Sequence, residues 1–159
     1  MTSGRRMGTG RTERVFAATE LLQQVESGLA VSYKANLAQL PMMIRLLGLG
    51  QAIAMATTAA TTRQGGEGRS WQTILGHLDA WLGGRCPWSP LNLSATAETP
   101  DMAAGQRMLL RYRGLDRQAM LVAHREATAF ILVLHQFARV MVAPTGPAPA
   151  IPAEPGADQ

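Results

Sequence analysis

Asp116-Arg117-Gln118-Ala119-Met120-Leu121-Val122-Ala123-His124-Arg125-Glu126-Ala127-Thr128-Ala129-Phe130-Ile131-Leu132-Val133-Leu134-His135-Gln136-Phe137-Ala138-Arg139-Val140-Met141-Val142 decides the fold. Met120, Ala123, Ala127, Phe130, Leu134, Phe137 and Met141 recur in it at spacings of 3, 4, 3, 4, 3 and 4. That rhythm follows the 3.6-residue turn and lays one apolar stripe along a long helix. Asp116 is a residue type that accepts the free amides of a first turn, so the spacing predicts a helix from there to about Val142. Ile131 to Leu134 is apolar on all sides, which marks a segment that is central or meets a partner.

The same rhythm appears upstream. Val15, Ala18, Leu22, Val25 and Leu29 predict a helix over about Thr12 to Gly28, with Thr12 as its cap and Gly28 as its stop. Leu37, Leu40, Ile44 and Leu47 predict a second over Ser32 to Leu47. Pro41 falls inside it and should kink or split it, because the Leu37 carbonyl loses its donor. After a corner at Gly48 and Gly50 comes a third helix, Leu49 to Thr62, built from Ala, Thr, Ile and Met. Small residues on every face suit a central, closely packed position. Gly65-Gly66-Glu67-Gly68 reads as a loop, and a fourth helix from Ser70 turns Trp71, Ile74, Leu78 and Trp81 inward before Gly83-Gly84. Residues 85 to 100 carry Pro87, Pro90 and Pro100 and read as an irregular connection. A short fifth helix covers Asp101 to Arg113, and Gly114 ends it. No alternating strand pattern and no internal repeat appears. The expected fold is therefore all-α, a single compact bundle of five or six helices over residues 12–143. It is flanked by a disordered basic arm, residues 1–11, and a disordered Pro/Ala-rich tail, residues 144–159.

The 159 residues favour one domain, and 47% hydrophobic against 16% charged is ample for a core. One cysteine, Cys86, excludes a disulfide framework and a cysteine-rich zinc site, and fits a reducing cytoplasm. The uncharged run Leu46 to Thr62 falls short of the roughly 20 apolar residues of a membrane span. Arg5 and Arg6 are not followed by an apolar stretch, so a secretory signal is not expected.

Catalytic chemistry finds no foothold. His124 and His135 are eleven residues apart, roughly 16 Å along one helix face, too far to share a metal. His124-Arg125-Glu126-Ala127-Thr128 lacks the second histidine of a zinc-protease motif. Gly48-Leu49-Gly50 lacks both a preceding strand and a third glycine, so no nucleotide loop is indicated. The acids are scattered. No catalytic residue, metal site, cofactor or small-molecule substrate is expected.

The charge is more informative. The formal net charge is +4, and of 15 basic residues only Lys34 is lysine. Arginine's planar fork suits phosphate oxygens, although a high-GC genome enriches arginine as well. If the second helix continues through Pro41, Lys34 and Arg45 differ in rotation by only ~20°. Ala38 and Pro41 between them would form a low strip with a cation at each end, a shape that follows a phosphate backbone. Arg107, Arg111, Arg113, Arg117 and Arg125 crowd the last two helices, with Asp116 and Glu126 near enough to neutralise some of them. Aromatic residues are only 5% of the chain, so backbone recognition of a helical nucleic acid is favoured over stacking on bases.

Two segments resemble a known family. Tyr33-Lys34-Ala35-Asn36-Leu37-Ala38-Gln39-Leu40-Pro41-Met42-Met43-Ile44-Arg45, leading into Leu47-Gly48-Leu49-Gly50-Gln51-Ala52, resembles the signature of the small subunit of the type III-B CRISPR (Cmr) RNA-guided effector complex. Arg125-Glu126-Ala127-Thr128-Ala129-Phe130, continuing to Phe137-Ala138, resembles its closing helix, although Val133, His135 and Gln136 stand where the family has a tryptophan and a Lys-Arg pair. The resemblance implies a non-catalytic, cytoplasmic subunit of an antiviral complex. Such subunits stack as a short filament beside the backbone subunits and contact the backbone of the guide–target RNA duplex, while cleavage and signalling belong to the backbone and large subunits. Lys34 and Arg45 are the RNA-facing candidates it carries over, with Arg107, Arg111, Arg117 and Arg125 as further RNA-binding candidates on charge alone. A helical DNA-binding regulator, using the Leu46-to-Gly50 corner as a helix-turn-helix, and a helical adaptor without nucleic acid are the alternatives.

Overall fold

Residues 10–93 and 101–143 are described by the computed structural model, and the described residues contain helices and no strand. The helices are α1 (Gly10–Leu22), α2 (Ala30–Leu47), α3 (Leu49–Thr62), α4 (Gly65–Ala80), α5 (Ala104–Arg113) and α6 (Arg117–Met141). Single 3-10 or π turns occupy Ser27–Leu29, Trp81–Arg85 and Pro90–Leu93. The all-α bundle expected from periodicity is the observed fold. Most of the two expected disordered ends lies outside the described residues, but Gly10 and Arg11 form the first turn of α1.

Helix α6 is the spine. Asp116 caps it as expected, its Oδ1 accepting the Ala119 amide at 2.8 Å. Ala123, Ala127, Phe130, Ile131, Leu134 and Ala138 are buried, and α1 and α2 pack over them. The ends of the sequence stripe are looser: Met120 and Phe137 are half-buried and Met141 is exposed. Helix α1 stops at Leu22, six residues before the expected Gly28, and the chain reaches α2 through turns. It buries the small pair Ala17 and Ala18 with Leu21 and Leu22, while Val15 and Val25 are only half-buried.

Helix α2 runs unbroken past Pro41. The proline sits half-buried while Leu37, Leu40 and Ile44 lie in the core, so packing of that inner face outweighs one lost hydrogen bond. Leu47, expected in the stripe, is exposed. Gly48, at φ +83° and ψ 163°, lets α2 turn straight into α3, in a region that essentially only glycine enters and that costs other residues of order 1–3 kcal/mol.

Two expectations are corrected. Helix α3 is not enclosed. Leu49, Ala52, Ile53, Ala56 and Ala60 pack inward, but Gln51, Met55, Thr58 and Thr62 face out. Its threonines satisfy themselves by bonding back to carbonyls four residues earlier, Thr58 to Ala54 at 3.0 Å and Thr62 to Thr58 at 2.8 Å, so an uncharged helix tolerates water on one side. The glycine run Gly65–Gly68 is not a loop but the first turn of α4. Gly65 takes φ +67°, and a Cβ at Gly68 would lie 2.1 Å from the Arg63 carbonyl oxygen. The glycines thus permit a helix-to-helix corner too tight for any other residue. Trp71, Ile74, Leu78 and Trp81 are buried as expected.

Candidate nucleic-acid interface

The signature segment divides cleanly across α2. Tyr33, Leu37, Leu40 and Ile44 form its inner face, and Tyr33 Oη lies 2.8 Å from His77 Nδ1 of α4 in the core. Burial lowers the His77 pKa to about 4 and pushes the Tyr33 phenol up, so the ring is neutral at physiological pH. Asn36 reaches α4 as well, its amide donating to Ser70 Oγ at 2.6 Å. Tyr33 is therefore an anchor for α2 rather than a platform for a base.

The outer side carries the cations. Because α2 is continuous, Lys34 and Arg45 share one edge of it, three turns apart. Arg45 is exposed, Lys34 is half-buried, and neither makes a hydrogen bond or ion pair among the described residues. Ala35 and Ala38 keep the strip low, but Val31, Met42 and Leu46 also project from it into solvent.

The arginines of the last two helices separate into two groups. Arg107 and Arg111 of α5 are turned onto Asp79 of α4. The Arg107 fork donates to Asp79 Oδ2 at 3.1 and 2.8 Å, and Arg111 Nη1 stands 3.7 Å from Oδ1. Both were sequence candidates for RNA, and both are engaged in holding α5 to α4. Arg117 and Arg125 of α6 are exposed and unpaired among the described residues. So are Arg113 and Arg139. Arg139 escaped the sequence reading, although its place 22 residues beyond Arg117, twice eleven, puts it on the same helix face.

Glu126 does not neutralise its neighbours on α6. It is turned into the core, where its carboxylate takes both nitrogens of the Arg14 fork at 2.7 and 2.8 Å, the Trp81 indole at 2.9 Å and the Trp88 indole at 2.7 Å. Burial alone would raise its pKa. The bond from Arg14, with those from Trp88 and Trp81, outweighs that and holds it below the usual carboxylate range. The network ties α1 to α6 and to the turn after α4, where Trp81 also stacks on Phe130 at 5.0 Å. Cys86, fully buried beside it, has its thiol pushed up to about 11 by burial and then by the Glu126 charge, which leaves it unreactive near neutrality.

Among the described residues no group of three or more His, Cys, Asp or Glu side chains is placed to hold a metal, and no helix is long and apolar enough to cross a membrane. What the surface offers is unpaired cations on α2, α5 and α6, and of these helices α2 packs against α6.

No curated protein matches the chain. Residues 10–141, from the first turn of α1 to the end of α6, match the family described as CRISPR-associated protein (Cas_Cmr5). With the all-α bundle and the Tyr33–Ala52 segment in place, the chain belongs to that family, the small subunits of the type III-B CRISPR Cmr complex.

Proposed function

We propose that this subunit is a non-catalytic clamp on RNA in a cytoplasmic antiviral complex. It stacks with further copies of itself beside the backbone and large subunits and touches the backbone of the guide RNA–target RNA duplex. The observation that carries the reading is the edge of α2, where Lys34 and Arg45 stand three turns apart with no internal partner. Paired cations at fixed spacing neutralise phosphates without reading sequence. Arg107 and Arg111 drop out of the contact because Asp79 occupies them.

The test is a salt titration of duplex binding by the assembled complex, wild type against Lys34→Ala/Arg45→Ala. Loss of two phosphate contacts per copy flattens the slope of log K against log salt by about two for each copy. An unchanged slope removes α2 from the RNA path. The helix-turn-helix reading loses ground on α3, whose outward residues Gln51, Met55, Thr58 and Thr62 carry no charge and whose first cation, Arg63, is paired with Glu67. Competition between RNA and DNA duplexes separates the two readings, and absence of binding to either would favour the adaptor.

A further inference from the structure

We propose that the outer face of α6 docks an acidic amphipathic helix from another protein of the Cmr complex. Arg117, Leu121, Arg125, Leu132 and Arg139 are all exposed, and at 100° per residue they fall within a stripe about 80° wide. Its exposed members run cation, leucine, cation, leucine, cation over roughly 33 Å, with the half-buried Thr128 and His135 set between them on the same stripe. Leu121 is 57% exposed and Leu132 53%. The three arginines make no hydrogen bond or ion pair among the described residues. Glu126, the one acid of α6, is buried under Arg14 and contributes nothing outside.

The alternation distinguishes protein from RNA. A phosphate backbone would engage the arginines but offers no apolar surface for two leucines set in line between them, whereas the apolar face of an amphipathic helix covers both. The two leucines are eleven residues apart, about 16 Å, the span of three helical turns, so a partner helix lying along α6 meets both with one apolar stripe. Charge complementarity requires Asp or Glu beside that stripe. Among the described residues a second copy of this chain does not supply them. Of its eight described acids, Glu20, Glu26, Glu67, Asp79 and Glu126 are in ion pairs and Asp116 caps α6, leaving Glu13 and Asp101 on separate elements. With no acidic helix face on the described residues, the occupant we assign is a different polypeptide. Arg117 and Arg125, whose charge pointed to RNA in the sequence, are assigned here to protein. The inference rests on membership of the complex and not on the RNA contact of α2.

The test uses the complex assembled from all its subunits with guide RNA. A photo-crosslinking phenylalanine analogue replaces Leu132, and two variants, Leu121→Ser/Leu132→Ser and Arg117→Glu/Arg125→Glu/Arg139→Glu, are compared with wild type for the amount of this subunit retained. Buried anchors carry most of an interface, so the leucine pair is expected to lower retention about tenfold at any salt. The charge reversal lowers it most at low salt, where electrostatic attraction acts furthest. Both effects persist without target RNA, and the cross-link joins a helical segment of another subunit with Asp or Glu at three- and four-residue spacing. Full retention of both variants, or a cross-link to RNA, to a second copy of this chain or to a segment without acids, overturns the proposal. Lys34→Ala/Arg45→Ala, which alters only the salt slope of duplex binding, keeps failure here distinct from failure of the RNA reading. Circular dichroism confirms that the exposed substitutions leave the helices intact.

Discussion

Glu126 and His77 show how two buried ionisable groups set the acid limit of this fold, and in different windows. Glu126 accepts four hydrogen bonds and is held below its ordinary value of 4.5. Its contribution is complete above that value and is lost as pH falls through the folded pKa, since the unfolded chain takes up the proton first. Removing one side of a buried pair leaves the other uncompensated. Glu126→Ala is therefore expected to cost about 3–5 kcal/mol in urea denaturation, with the Trp81 indole orphaned as well. A cost below about 1 kcal/mol would mean that water replaces the carboxylate. His77 acts at milder pH. Its folded pKa of about 4 lies below the unfolded 6.5, so the unfolded state binds the extra proton between those values and stability falls as pH drops through that range. The loss amounts to no more than about 3 kcal/mol by pH 4. His77→Gln should be flat over the same interval, and a slope equal to wild type would assign the titration elsewhere.

At the scale of elements, the corners matter more than the helices. The turn from α3 to α4 depends on Gly68, where a methyl group would meet the backbone oxygen of Arg63 at 2.1 Å. Backbone cannot yield as the end of a flexible side chain can. Gly68→Ala is expected to destabilise by about 2 kcal/mol or more despite alanine's better helix propensity. Its melting temperature measured against that of Gly76→Ala, at a helical glycine with nothing within 4 Å, isolates the clash from propensity. Equal shifts in the two variants would show that the corner relaxes. Helix α2 is the opposite case, for Pro41 breaks a local rule and the helix persists because its inner face is buried from Ala30 to Ile44, on both sides of the proline.

For the whole molecule, each copy presents few phosphate-facing cations, so one subunit alone should hold RNA weakly. With the two contacts of Lys34 and Arg45 per copy, log K should fall against log salt with a slope of about −2, independent of sequence. Affinity should become useful only when several copies align on one duplex and bind as one multivalent unit. Titrating duplexes long enough for one, two and three copies checks this, since a per-copy affinity that stays constant with length would argue against linked binding.

Periodicity alone determined the helical class, the order of the helices and most of the core, because apolar spacing of three and four has one structural solution in water. It placed the Asp116 cap and the α2–Gly48–α3 corner, and the Tyr33–Ala52 segment pointed to the family. It did not reveal which charges are spent internally. Arg107, Arg111, Arg117 and Arg125 look alike in the sequence, yet Asp79, some thirty residues upstream of the first two, takes those and leaves the others free. Nor could spacing show that Glu126 turns inward to Arg14, 112 residues away. An ion pair between distant residues exists only where packing brings two helices together, so the division of this surface into locked and available cations was decided by the tertiary structure.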